Sequence, residues 1–65
     1  MFVFKFCIAL YNFKSITFNM IDMREGDVYK VLEKCDKKND PEWWLVENDQ
    51  KISGYVPKNY VKLLD

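Results

Sequence analysis

The chain has 65 residues, with ten basic and ten acidic side chains and no histidine. So short a chain forms one domain whose core is marginal. Zero net charge argues against nucleic acid or an anionic membrane surface as partner, because neutralising phosphates takes a basic excess.

The first segment, Met1 to Leu10, is apolar but broken by Lys5. It is too short to span a bilayer and lacks a small-residue cleavage site, so it is expected to be a strand. Phe4, Phe6, Ile8 and Leu10 alternate there with Val3, Lys5, Cys7 and Ala9. The period of two predicts a bulky row and a mostly small row on opposite faces. Cys7 reads as a small buried hydrophobe. Phe4 and Phe6 read as packing residues.

A long loop, Lys14 to Met20, follows and is unusually apolar, with Ile16, Phe18 and Met20. Gly26 supplies a positive φ for the turn before the second strand, Val28 to Glu33. Cys35 to Pro41 is a polar loop. Trp43 to Glu47 is the third strand, and Asn48-Asp49 begins the connection to the fourth, Gly54 to Val56. Proline cannot donate to a ladder, so that strand stops at Pro57. Pro57 to Tyr60 then forms a single 3₁₀ turn before a short fifth strand, Val61 to Leu63. Five short strands predict an all-β fold, a small barrel or a pair of packed sheets. Ala9, Ile21, Met23, Val31, Val46, Val56 and Val61 are the expected core.

The chain carries five Phe, four Tyr and two Trp, more large rings than so small a core holds. Rings left on the surface in a cluster point to recognition. Catalysis has no basis in the residues: there is no histidine, no nucleophile–base pair and no glycine-rich phosphate loop. Two cysteines, Cys7 and Cys35, make neither a disulfide framework nor a zinc site, so no metal and no cofactor is expected. With no secretory signal, reduced thiols and a cytoplasmic setting are expected.

Three blocks carry a family pattern. Ala9-Leu10-Tyr11-Asn12-Phe13 resembles the ALYDY motif, Glu42-Trp43-Trp44 the tryptophan pair, and Gly54-Tyr55-Val56-Pro57-Lys58-Asn59-Tyr60-Val61 the GYIPSNYV motif. In order, spacing and total length the chain resembles the Src-homology 3 (SH3) domain. The resemblance implies a five-stranded, partly open barrel of two orthogonal antiparallel sheets over residues 1–65, as one module of a larger multidomain protein. It implies binding of proline-rich segments in the polyproline II conformation, by a groove of Tyr11, Phe13, Trp43, Pro57 and Tyr60. Asn59 would donate a hydrogen bond and Tyr55 would border the surface. Adjacent strand residues point to opposite faces. The two tryptophans therefore cannot share a role, and the resemblance assigns the groove to Trp43 and leaves Trp44 to the core.

The departures bear on specificity. The family places acids in the long loop to attract a ligand's arginine or lysine. Here Phe18, Asn19 and Met20 occupy those positions, Asn12 replaces the aspartate of ALYDY, and Lys14 adds a positive charge. The acids left nearby are Glu42, Asp36 and Asp40. Weak binding of basic proline-rich ligands, or a preference for an apolar flank met by Phe18 and Met20, is expected. The alternative is that Phe18 and Met20 pack only within their loop. Partners are then proline-rich segments of other proteins or of the parent chain, met by a monomer. A clamp on the parent or on another domain, independent of a proline-rich ligand, is the other functional reading. A methyl-lysine cage from Tyr11, Trp43 and Tyr60 is a rival that the turn at Pro57 disfavours. The stretch from Asp40 to Glu47 also resembles modules of Tuba-type Rho-family guanine-nucleotide exchange factors, and an adaptor or scaffold parent is equally open.

Overall fold

In the computed structural model, which describes residues 4–64, each strand ends where the sequence loses its alternation or meets a turn-former. The strands are β1 (Lys5–Ala9), β2 (Val28–Glu33), β3 (Trp43–Glu47), β4 (Ser53–Pro57) and β5 (Val61–Leu64), with a 3₁₀ turn at Lys58–Tyr60. Val3, placed by the sequence in the small row of the first strand, lies outside the described residues. Gly26 has a φ of 90° and starts the turn into β2, donating its N–H to the Ala9 carbonyl. Between β3 and β4 the side-chain oxygen of Asn48 accepts the N–H groups of Gln50 and Ile52 at 2.9 and 3.0 Å. This Asx-type turn makes a five-residue connection as definite as a tight hairpin.

All neighbours are antiparallel, in the order β4-β3-β2-β1-β5. Hydrogen bonding runs through all five strands, so the two expected sheets are one continuous ladder. A bulge at Leu32, where Val31 faces Val46 but Glu33 faces Leu45, sharpens its bend. The ends of the ladder share a core: Val56 of β4 and Val61 of β5 lie in one buried cluster with Cys7, Ala9, Val31 and Val46. A sheet must curl to achieve that.

All seven expected core residues are buried, and Cys7 is fully so. Tyr29 is buried too, which the sequence did not single out. Its hydroxyl accepts the N–H of Arg24 at 3.3 Å. Phe4 and Phe6 correct the expectation for β1: they lie outward, 55% and 43% exposed. The register gives the reason. Cys7 lies between Tyr29 of β2 and Leu63 of β5. A bulky ring in that row would collide with them, so the small row faces inward. Phe4 instead lies under the Lys30 ammonium, 4.2 Å from its ring centre.

Candidate recognition surface

The register of β3 and β4 places three of the aromatic and proline candidates on one face. Trp43 lies opposite Pro57, and Leu45 opposite Tyr55. Directly paired residues share a face and alternate along the strand. Trp43, Tyr55 and Pro57 therefore share the outer face, each half-buried. Trp44 pairs with the fully buried Val56 and packs against the core, on the opposite face from Trp43. The N–H of Lys58 donates to the Glu42 carbonyl at 2.8 Å, tying the 3₁₀ turn to the start of β3.

That turn carries the chain from Pro57 to a second aromatic group. Tyr60 meets Tyr11 edge-on with ring centres 5.5 Å apart, and Phe13 edge-on at 5.7 Å. Edge-to-face packing is the favoured arrangement of two rings and holds each against its neighbour. Tyr60 and Phe13 also lean on the core, whereas Tyr11 is 57% exposed. The Leu10 N–H donates to the Tyr60 carbonyl at 2.7 Å, which fixes the segment under Tyr11. Asn59, between the two groups, is exposed.

The long loop 14–20 is held at both ends. At its base Phe13 and Met23 exchange two backbone hydrogen bonds of 2.9 and 2.8 Å. Beside them the Asp22 carboxylate accepts the Ser15 N–H at 2.7 Å and faces Lys14 at 3.4 Å. The Ser15 hydrogen bond, aided by the Lys14 charge, holds the Asp22 carboxyl below its ordinary range. At its tip the Tyr55 N–H donates to the Asn19 carbonyl at 2.8 Å, and Tyr55 accepts from Ile21 at 3.3 Å. Asn12, in place of the motif's aspartate, accepts the N–H of Glu25 at 2.8 Å, so its amide oxygen serves the fold.

A cleft of about 480 Å³ separates this loop from the 35–41 loop. Phe18 and Met20 line one side, Trp43 and Tyr55 the floor, and Asp36, Lys37 and Lys38 the other side. Phe18 is fully exposed, which removes the alternative that it packs within its loop; Met20 is half-buried and bridges to Tyr55. Asp40 and Glu42 are not among the lining residues. The Asp40 carboxylate accepts the N–H of Glu42 at 3.0 Å, and Glu42 is exposed beside Trp43. Sequence reasoning missed Lys37 and Lys38. Their only signal was a place in the loop before the tryptophan pair.

Comparison with known proteins agrees with this geometry. The family model for the SH3 domain matches residues 8–58. The chain belongs to the SH3 domain family. Among its relatives are the SH2/SH3 adapter protein dreadlocks of Drosophila melanogaster, 37% identical over 88% of this chain. Another is the Rho guanine nucleotide exchange factor 37 of Rattus norvegicus, 40% identical over 83%. The chain spans only 10% and 8% of those two proteins. Among solved SH3 domains, the C-terminal one of myosin IB from Entamoeba histolytica, bound to an EhFP10(GEF) peptide, matches with a TM-score of 0.85 at 29% identity over all of both chains. The yeast Nbp2p SH3 domain, in complex with a peptide from Ste20p, matches with a TM-score of 0.83 at 26% identity, over 97% of this chain and 90% of that one. SH3 domains are interaction modules, and both of these hold a peptide. Among the described residues no helix is long and apolar enough to cross a membrane.

Proposed function

We propose that this SH3 domain is a non-catalytic module, within a larger cytoplasmic protein, that binds proline-rich segments in the polyproline II conformation. The observation carrying this reading is the outer-face pairing of Trp43 with Pro57, continued through the 3₁₀ turn to the edge-packed Tyr11 and Tyr60. A polyproline II chain has three residues per turn and outward carbonyls. Rigid rings bury its proline faces, while the Trp43 indole N–H, the phenols of Tyr11 and Tyr60 and the Asn59 amide donate to its carbonyls. The ligand arrives stiff, so little conformational entropy is lost on docking. Phe13 acts by holding Tyr60 in place.

Affinity for a basic flank is weak in this reading. Glu42, which directly precedes Trp43, is exposed, and an exposed ion pair contributes about 0.2–1 kcal/mol. Chemical-shift mapping during titration with a proline-rich peptide tests the groove. Shifts at the Trp43 indole, Tyr11 and Tyr60 are expected, and their absence would count against it.

One observation favours a second reading, a clamp on the parent chain or on another domain. Ile16 and Phe18 project from the long loop, 82% and 102% exposed. Such apolar tips suit burial by a second surface, and a tethered partner needs little intrinsic affinity. Binding of the parent's flanking segments, persisting after Trp43→Ala, would favour this reading.

A further inference from the structure

We propose that the cleft beside the proline groove selects an apolar residue followed by a carboxylate, so that the flank of the preferred ligand is acidic rather than basic. This rests on the peptide-binding reading above and assigns the chemistry of its flanking subsite.

The two walls of the cleft differ in character. Phe18 and Met20 give an apolar wall, with the Trp43 and Tyr55 rings as floor. The opposite wall carries Lys37 and Lys38 against one acid, Asp36, a local excess of one positive charge. Both lysines are exposed, and neither is in an ion pair among the described residues.

Asp36 is committed to its own turn. One of its carboxylate oxygens accepts the N–H groups of Lys38 and Asp40 at 2.8 and 2.9 Å. A ligand arginine entering here would find only the other Asp36 oxygen open and would meet two ammonium groups against that one acid. A ligand carboxylate would meet two unpaired donors. An apolar side chain beside it would cover Phe18, whose ring is otherwise wholly in water. The thioether of Met20 adapts to the shape of what enters.

The test uses synthetic peptides sharing one proline-rich core and differing only in the flank: Leu-Glu, Leu-Gln, or Arg-Arg, at either end of the core. Titration is followed calorimetrically and by the Trp43 indole resonance. The Leu-Glu peptide is expected to bind about tenfold more tightly than the Arg-Arg peptide, with Leu-Gln between them. Added salt should erode the Leu-Glu advantage. The Lys37→Glu/Lys38→Glu double variant alters only exposed side chains and should reverse the order.

Preference for Arg-Arg, or an order unchanged by the double variant, overturns the proposal. Equal binding of all flanks would leave the groove reading standing and remove this one. If no peptide moves the indole resonance, both fall together.

Discussion

Gly54 and Ile21 approach so closely that a Cβ built on the glycine would lie 2.9 Å from the Cβ of the isoleucine and 2.8 Å from the Met20 carbonyl carbon. The missing side chain lets the long loop lie on β4, with Asn19 and Ile21 bonded to Tyr55. One wall of the flanking cleft thus hangs on a single glycine. Gly54→Ala should destabilise the domain by about 1–3 kcal/mol, because backbone cannot yield as a flexible side chain can. Denaturant unfolding measures it. An unchanged midpoint would show that the loop is not held this way.

The adjacent tryptophans should separate binding from stability. Trp43→Ala removes a ring from the outer face and should weaken binding of a proline-rich peptide by about 2 kcal/mol or more, roughly thirtyfold in Kd. The fold should survive. Trp44→Ala opens space beside Val56 and should lower stability by about 2–3 kcal/mol, short of the cost for a wholly buried ring. Calorimetric titration and thermal melting of both variants check this; equal effects of the two in both assays would sink it.

The clamp on the long loop should respond to acid. Asp22 has a folded pKa below its unfolded one, chiefly through the Ser15 hydrogen bond. Its stabilisation is therefore complete above the ordinary aspartate value of about 3.9 and is lost as pH falls through the depressed folded value. The Ser15 amide resonance should titrate with a midpoint below that ordinary value. Asp22→Asn should abolish the titration. A midpoint at or above the ordinary value would contradict the assignment.

The two thiols should differ in reactivity. Cys7 is wholly buried, and desolvation pushes its pKa up to about 11, whereas Cys35 is half-exposed. The thiolate is the reactive form. At mildly alkaline pH the folded domain should take up one equivalent of an alkylating reagent, at Cys35, and the unfolded chain two. Mass spectrometry of the labelled chain decides it.

Much of the architecture follows from local chemistry alone. The limits of β2 and β3, the positive φ at Gly26, the turn at Asn48 and the 3₁₀ turn after Pro57 all follow from short-range preferences. The seven core positions follow from alternation, because one half-buried face makes the inward row apolar. The candidate groove residues were named from motif positions of the resemblance, and the fold brings Trp43 opposite Pro57 and Tyr11 against Tyr60.

Cys7 and Ala9 were legible as core, but Phe4 and Phe6 of the opposite row also read as packing residues, and only the folded arrangement turned them outward. Alternation fixes two rows but not their direction, and the choice lay with Tyr29 and Leu63, brought to either side of Cys7 from distant strands. The charges rimming the cleft were decided in the same way. Asp36, Lys37 and Lys38 face Phe18 and Met20 only because hydrogen bonds at Tyr55 lay the long loop on β4. Local sequence sets the conformation of each segment. Which segments face one another is set by the curl of the sheet, to which every strand contributes and which no single stretch encodes.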